Sequence, residues 1–206
     1  MLELNVPYSE KDQAKKLGAK WNPTTKKWYV SSRKDYMKFR KWFDVDGDII
    51  IFNQLYLVEG YQTCFKCKKK TKVISFALKD FLYIDDDYVE EYHDEIMIAG
   101  IIDPIPKPIL TYITNNYNFK LRYSKTTKTS NYSNCCEVCD ILQGDFYLFA
   151  EPQSPFFIDT SEKLNKLKFY SIPLSKDYVV TSNYLDISCD YPIDNNNIQK
   201  IIIQDV

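Results

Sequence analysis

The sequence predicts an α+β protein, built from a small basic N-terminal domain at residues 1–44 and a larger β-rich domain at residues 45–206. Three observations support this prediction. Aromatic residues make up 16% of the chain and glycine occurs only 5 times, a composition that favours pleated, half-buried strands. The first 43 residues follow a β-α-β-β-α pattern. The remainder contains two C-x-x-C motifs in apolar, β-branched surroundings.

The β-α-β-β part of the N-terminal pattern is predicted from local signals. The segment LELNV alternates as a short strand does, and Pro7 ends it. Ser9 is a suitable N-cap for a helix that runs to about Leu17, with Gly18 as its C′ residue. The segment AKWNPTTKKWYV then predicts a β-hairpin whose turn is formed by residues 22–25.

The segment RKDYMKFRKWF predicts the second helix of this domain, which Ser31 or Ser32 could cap. Its buried face is expected to contain the apolar residues that recur at α-helical spacing, which are Tyr36, Phe39 and Phe43, flanked by Met37 and Trp42. This helix completes a compact unit with an aromatic core.

The segment LNVPYSEKDQAKKLGAKWNPTTKKWYV, followed by an aromatic helix that ends in Trp42, resembles a known family, the domain of unknown function 5710. The resemblance covers residues 2–43. One departure is SSRKDY, where relatives more often have a turn that contains Pro or Gly. The resemblance implies an association with primase-like and other DNA-handling proteins of plasmids and phages, and it implies no mechanism by itself.

In the larger domain, LYLVEGYQT and KVISFALKDFLYI predict strands on either side of the first C-x-x-C motif. A helix is expected from Pro108. The segment KLRYSKTTKTSNYSNCCEVCDILQGDFYLF predicts a strand, a polar turn, the second cysteine cluster and a further strand. Both cysteine motifs are therefore expected between strands.

Four of the 6 cysteines form two C-x-x-C pairs, Cys64 with Cys67 and Cys136 with Cys139. Two such pairs predict one Zn²⁺ ion held by four thiolates, because the short spacer lets both sulfurs of a pair face one ion. The arrangement is that of a zinc ribbon with a long insertion, since 68 residues separate the pairs where ~20 are usual. Uncharacterised bacterial proteins with similar YQTCFKCKKK and SNCCEVCD segments imply a matched pair of zinc knuckles and no known activity.

Other interpretations of the cysteines stay open. Cys135 could replace Cys136 as a ligand, although the C-x-x-C spacing favours Cys136. A thioredoxin-like redox pair would open a helix in a βαβ unit, which the flanking strands do not predict. Independent buried thiols are the remaining alternative. Cys189 is expected to be a lone thiol, buried or semi-exposed.

A closed structural zinc site is favoured over a catalytic one, because four thiolates are present and the only histidine is His93, in an acidic segment. Lys66 and the lysines at 68–70 could offset the negative charge of the thiolates. No GxxxxGK[ST], GxGxxG, HExxH or GxSxG motif occurs. The absence of these motifs does not exclude an enzyme, but nothing in the sequence argues for one, so a non-enzymatic protein is favoured.

The charge is divided unequally along the chain. Residues 1–43 hold 11 basic and 4 acidic residues, a net charge of +7, and the rest carries −8. A basic N-terminal domain suggests nucleic acid as its partner, with attraction between the two parts as the alternative. The expected phosphate contacts are Lys11, Lys15, Lys26, Lys27, Lys34, Lys38 and Lys41, of which the last three would form one stripe on an α-helix. Trp21, Trp28 and Trp42 could stack on bases if exposed, but a core this small predicts that at least two are buried.

We expect a cytoplasmic protein with no membrane partner, because the N-terminus lacks an apolar signal-peptide core and no run approaches the ~18 apolar residues of a membrane span. The acidic run at 85–95 is expected to be a solvated loop or exposed helix face, with a divalent-cation site or mimicry of a nucleic-acid backbone as the alternatives. The first functional hypothesis is a zinc-stabilised, nucleic-acid-binding protein of a plasmid or phage. The second is a protein-interaction module, such as an immunity or inhibitor protein, whose acidic body binds a basic partner protein. A metal-dependent enzyme is the third.

Overall fold

The computed structural model describes residues 1–85, 88–93, 95–124, 128–186, 198–204 and 206. It confirms an α+β fold that is rich in strands. In chain order the strands are β1 (Leu2–Leu4), β2 (Lys20–Asn22), β3 (Lys27–Val30), β4 (Ile49–Ile51), β5 (Gln54–Thr63), β6 (Lys70–Leu78), β7 (Phe81–Ile84), β8 (Val89–Tyr92), β9 (Met97–Ile98), β10 (Ile102–Asp103), β11 (Phe119–Tyr123), β12 (Ser130–Asn134), β13 (Lys168–Pro173), β14 (Tyr178–Ser182) and β15 (Gln199–Lys200). The helical segments are a 3₁₀ turn (Tyr8–Glu10), α1 (Lys11–Lys16), a 3₁₀ helix (Arg33–Trp42), α2 (Lys107–Asn116), a π-helical turn (Phe146–Ala150) and α3 (Ser161–Leu164).

The N-terminal segment has the predicted β-α-β-β-helix order around an antiparallel sheet with strand order β1-β3-β2. Gly18 ends the first helical region with a φ of 103°, the left-handed conformation that favours glycine at this position. The predicted cap at Ser9 is wrong. Ser9 lies inside the 3₁₀ turn, and α1 begins after Glu10, which makes no side-chain capping bond.

The second helix of the N-terminal segment is a 3₁₀ helix, and this changes its buried face. Its backbone N–H groups bond three residues back, as from Phe43 to the Arg40 carbonyl at 3.1 Å. With three residues per turn, the residues that share one side are Tyr36, Phe39 and Trp42, and all three are buried. Phe43, expected on this face at α-helical spacing, follows the helix and is half-buried.

The described residues of the larger part form two five-stranded sheets and a two-stranded one. The first five-stranded sheet has the order β10-β14-β4-β7-β8 and the second β15-β13-β5-β6-β9. The largest buried cluster draws on both sheets and on α2, with members such as Ile49, Phe76 and Ile109. The β11–β12 hairpin carries the second C-x-x-C motif, which directly follows β12.

A second buried cluster joins the N-terminal segment to the larger part. Leu4, Tyr36 and Trp42 pack in it with residues of β4 and β7, and Phe52 belongs to the same cluster. The Tyr36 hydroxyl also donates to the buried carboxylate of Asp177 at 2.5 Å. The N-terminal segment is thus packed directly against the first five-stranded sheet, and the division into domains at residues 1–44 and 45–206 stays a prediction.

Two expected elements in the larger part differ from the structure. The segment GDFYLF, expected as a strand, contains the π-helical turn, and its exposed and buried side chains come in successive pairs where a strand would alternate them. In the acidic run, residues 89–92 form β8, an exposed edge strand, and neither a loop nor a helix. Residues 86, 87 and 94 of that run, and Cys189, lie outside the described residues.

Within the described ranges, no helix combines the length and apolar character that crossing a membrane requires.

Candidate metal centre and basic groove

The structure brings together the sulfurs of Cys64, Cys67, Cys136 and Cys139, which all lie within 4.8 Å of one another. Across the two pairs, the sulfurs of Cys64 and Cys139 are 3.7 Å apart and those of Cys67 and Cys136 are 3.6 Å apart. Four thiolates at ~2.3 Å from a central ion would lie ~3.8 Å apart in a tetrahedron. The four cysteines could therefore hold a metal ion.

The two cysteine turns, at residues 64–68 (the first knuckle) and 136–140 (the second knuckle), have the same backbone geometry. In each, the carbonyl of the first cysteine accepts from the N–H four residues later at 2.9 Å. The N–H of that cysteine donates to the carbonyl five residues later, also at 2.9 Å. The last residue of each knuckle, Lys68 or Asp140, is left-handed, with φ of 60° and 56°. Because the two turns have the same geometry, each directs its two sulfurs in the same way toward the space between the four cysteines.

The environment of the sulfurs favours thiolates at the start of each knuckle. Burial raises the pKa of Cys64, but the backbone N–H groups of Cys67 and Lys66 outweigh it and lower this pKa to about 6. Burial is likewise outweighed at Cys136, where the N–H groups of the second knuckle lower the pKa. At Cys139 a backbone N–H favours the thiolate, but burial and the neighbouring thiols raise the pKa to about 11. The raised pKa of Cys139 opposes a fourth thiolate beside the others at neutral pH, and a bound cation would favour it.

Polar contacts hold the second knuckle against β6. Asn134 accepts from the Ile74 N–H at 2.8 Å and donates to the Ile74 carbonyl at 2.9 Å, as a backbone partner would. The Glu137 N–H donates to the Thr71 hydroxyl at 3.0 Å, and its carboxylate accepts from the Lys72 N–H at 2.9 Å. These contacts bring the knuckles together across 68 intervening residues, and sequence analysis did not identify the side chains that make them.

A buried amide lies beside the metal centre. Gln143 is 1% exposed, and its Nε2 lies 3.5 Å from the Cys64 sulfur while donating to the Ile141 carbonyl at 2.9 Å. Cys135 is also buried, but its sulfur faces the Ser133 carbonyl at 3.7 Å and is not part of the cluster. Of the two adjacent cysteines, the geometry thus favours Cys136 as a ligand. The lysines at 66 and 68–70 are exposed around the first knuckle.

A separate groove of about 420 Å³ opens on the N-terminal segment. Its walls are the first helical region and the β2–β3 hairpin, and it is lined by Leu4, Asn5, Val6, Tyr8, Lys11, Trp21, Lys26, Lys27 and Trp28. The Trp21 and Trp28 rings meet edge to face, with centroids 5.7 Å apart. Trp21 is 49% exposed, Trp28 half-buried and Trp42 2% exposed. The expectation that at least two tryptophans are buried is therefore wrong.

The structure separates the seven predicted lysines into two groups. Lys11, Lys26 and Lys27 line the groove. The Lys27 ammonium also lies 3.8 Å from the exposed carboxylate of Asp44. Those of the second helix do not form one stripe, because a 3₁₀ helix places Lys38 and Lys41 on one side and Lys34 on another. Lys38 lies 2.5 Å from Asp35, and Lys41 lies 3.0 Å from Glu10. The side chains of Lys15 and Lys34 are exposed. Contact of these seven residues with nucleic acid stays a prediction.

Comparisons with known proteins match the N-terminal segment. Residues 1–44 match the family described as Domain of unknown function (DUF5710), as the sequence predicts. Two DNA primase TraC proteins of Escherichia coli are 51% and 49% identical to this chain over 39 residues. The matched region is 19% of this chain and spans only 3% and 4% of the two primases. No solved structure matches the chain.

Proposed function

We propose that this protein is a zinc-stabilised, non-enzymatic binding protein that contacts nucleic acid through residues 1–44, in the setting of plasmid or phage DNA. The observation that carries the proposal is the convergence of Lys11, Lys26 and Lys27 on a groove that also presents exposed aromatic rings. Clustered cations beside aromatic faces are the side-chain combination that binds phosphates and bases together.

Charge and similarity support this proposal. The +7 charge of residues 1–43 is opposed by −8 on the rest of the chain, so attraction for a polyanion is confined to one end of the sequence. The similar segment in Escherichia coli belongs to proteins named as DNA primases and is 51% identical to this chain over 39 residues. The family match, at residues 1–44, includes all the residues that line the groove. We infer that the shared segment serves a DNA-related role in this chain as well.

We propose that the metal of the four-cysteine centre is zinc and that its role is structural. A set of four thiolates suits Zn²⁺, and such a closed set leaves no open position for water. The ion would fix the β5–β6 hairpin to the end of β12, so part of its binding energy would be folding energy. Because four reduced thiolates need a reducing compartment, we place the protein in the cytoplasm.

A titration of the full chain with labelled oligonucleotides, followed by fluorescence anisotropy at low and high salt, tests nucleic-acid binding. We expect the double variant Lys26→Glu/Lys27→Glu to bind at least about tenfold more weakly and to reduce the salt slope by about two. The control Lys107→Glu/Lys200→Glu makes the same change in net charge at exposed positions of the larger part. It should bind as the parent does.

Two results would refute nucleic-acid binding: no association at low salt, or equal losses in both double variants. If instead the chain binds basic proteins and no oligonucleotide, the protein-interaction hypothesis is favoured.

Elemental analysis of the purified chain tests the zinc proposal, with an expected content of about one zinc per chain. The variant Cys136→Ser should lose the metal, while the neighbouring variant Cys135→Ser should retain it, because only the Cys136 sulfur belongs to the cluster. The reverse result would assign the ligand to Cys135. A content below about a tenth of an equivalent in a folded protein would contradict zinc binding.

A further inference from the structure

The apolar face of the N-terminal sheet continues beyond its core into the groove. Leu4, Trp28 and Trp21 are cross-strand neighbours on β1, β3 and β2, so their side chains share one face. Along this row the side chains change from buried Leu4, at 1% exposed, through half-buried Trp28 to Trp21 at 49% exposed. A tryptophan face left in water at the end of a buried row is a surface suited to a flat, apolar ligand.

The remaining walls of the groove are cationic and aromatic. Tyr8 is 82% exposed, and the Lys11 ammonium lies over its ring, 3.9 Å from the centroid. Lys26, at the hairpin turn, and the adjacent Lys27 lie on the hairpin side of the opening. The volume of about 420 Å³ is within the ~300–1,000 Å³ of typical ligand sites. The groove therefore offers one flat aromatic surface with positive charge on both sides of it.

We propose that this groove binds single-stranded nucleic acid, with an unpaired base stacked on Trp21 and phosphates of the same strand contacted by Lys11, Lys26 and Lys27. The inference rests on the proposed nucleic-acid binding and specifies its substrate class. In a duplex both faces of each base are covered by neighbouring bases, so the concave aromatic surface could not reach them. In a single strand every base has an accessible face, and stacking on an aromatic side chain is tolerant of sequence.

The positive charge of the groove favours single-stranded nucleic acid over a flat ligand that carries no charge. Three lysines around one opening favour a ligand with several negative charges, which a polynucleotide supplies at regular spacing. Stacking and phosphate contact would then act together, the first through the base and the second through the backbone. The two contributions can be separated, because an abasic oligomer keeps the phosphates and lacks the base.

Fluorescence anisotropy with the full chain tests the inference, using a thymidine oligomer, an abasic deoxyribose-phosphate oligomer of equal length and a duplex. We expect the parent protein to bind the thymidine oligomer about tenfold more tightly than the abasic one, as one stacked base would give. Trp21→Ala should remove that difference and leave the affinity for the abasic oligomer unchanged. Trp21→Phe, which keeps an aromatic face, should restore most of it, and Leu121→Ala, at a residue 57% exposed on β11, should have no effect.

The outcomes distinguish this inference from the proposed function. Equal affinity of the parent protein for thymidine and abasic oligomers would overturn base stacking while leaving phosphate binding intact, and this comparison needs no variant to fold. Tighter binding of the duplex than of the thymidine oligomer would also overturn it. Absence of binding to all three oligomers would overturn the nucleic-acid function itself.

Discussion

Removal of one hydroxyl should show how strongly the N-terminal segment depends on the rest of the chain. Tyr36 and Asp177 are both buried, and the Tyr36 hydroxyl donates to the Asp177 carboxylate at 2.5 Å. Burial and the neighbouring carboxylate raise the pKa of Tyr36 well above its usual range, so the hydroxyl stays a donor at all ordinary pH values. The substitution Tyr36→Phe keeps the packing of the ring and removes only this bond.

The expected cost follows from the burial and charge of the acceptor. A hydrogen bond to a charged group contributes about 1.5–3 kcal/mol. The same Asp177 oxygen also accepts from the N-terminal ammonium of Met1 at 3.3 Å and lies 3.7 Å from the Arg33 Nε, so it keeps cationic partners when the hydroxyl is removed. We therefore expect Tyr36→Phe to lower the free energy of unfolding by about 2 kcal/mol, or Tm by about 4–8 °C for a chain of this size.

Urea and thermal unfolding of the full chain measure this loss, with Tyr29→Phe as the matched control at a half-buried tyrosine of β3. Tyr29→Phe should change the free energy of unfolding by less than about 0.5 kcal/mol. The reasoning is refuted if both variants have the same small effect. Two separate unfolding transitions, with only the first shifted by Tyr36→Phe, would instead show that residues 1–44 fold independently.

Three further substitutions test other parts of the fold. Asn134→Ala should lower the free energy of unfolding by about 1–3 kcal/mol, because the buried N–H and carbonyl of Ile74 lose their partners; the exposed Asn131→Ala is the control. Burial raises the pKa of Asp48, so the native state holds that proton more tightly than the unfolded chain, and stability falls as pH rises above ~3.9 through the raised pKa. Asp48→Asn should therefore gain stability relative to the parent between about pH 4 and pH 7 in parallel urea titrations, and an unchanged difference would contradict the assigned cause. Gly18→Ala should cost about 1 kcal/mol in thermal unfolding because of its φ of 103°.

The sequence could predict the second helix but not its type. Tyr36 and Phe39 fit both an α-helix and a 3₁₀ helix, and only the choice between Trp42 and Phe43 distinguishes the two periods over so short a segment. That choice depends on contacts outside the segment. Trp42 packs against the first five-stranded sheet, and its indole N–H donates to Glu10 at 2.6 Å. Contacts with the rest of the fold therefore determine the 3₁₀ period, which the spacing of apolar residues within the segment does not distinguish from the α-helical one.

For the metal centre, the sequence predicts the four ligands but not the residues that position them. The paired C-x-x-C motifs identify the four cysteines because two-residue spacing is specific to the chemistry of metal-binding turns. The left-handed residue Lys68 carries no such signal and Asp140 only a weak one, since glycine or asparagine would be the usual signal for that conformation. Asn134 was also not identifiable, because its partner Ile74 is 60 positions away in sequence. Spacing predicted the ligands, and long-range contacts, which have no local signature, position them.

The exposure of Trp21 follows from the way the N-terminal segment completes its core. A free-standing unit of 43 residues would need its aromatic side chains inside, which is why burial of at least two tryptophans was expected. Instead, Ile50, Phe52 and Leu82 of the larger part enter the cluster that contains Tyr36 and Trp42. Because the neighbouring sheet supplies this apolar volume, the Trp21 side chain is not required in the core and remains available at the surface. The same packing that joins the two parts of the chain thus leaves an aromatic face free in the groove, where the lysines are.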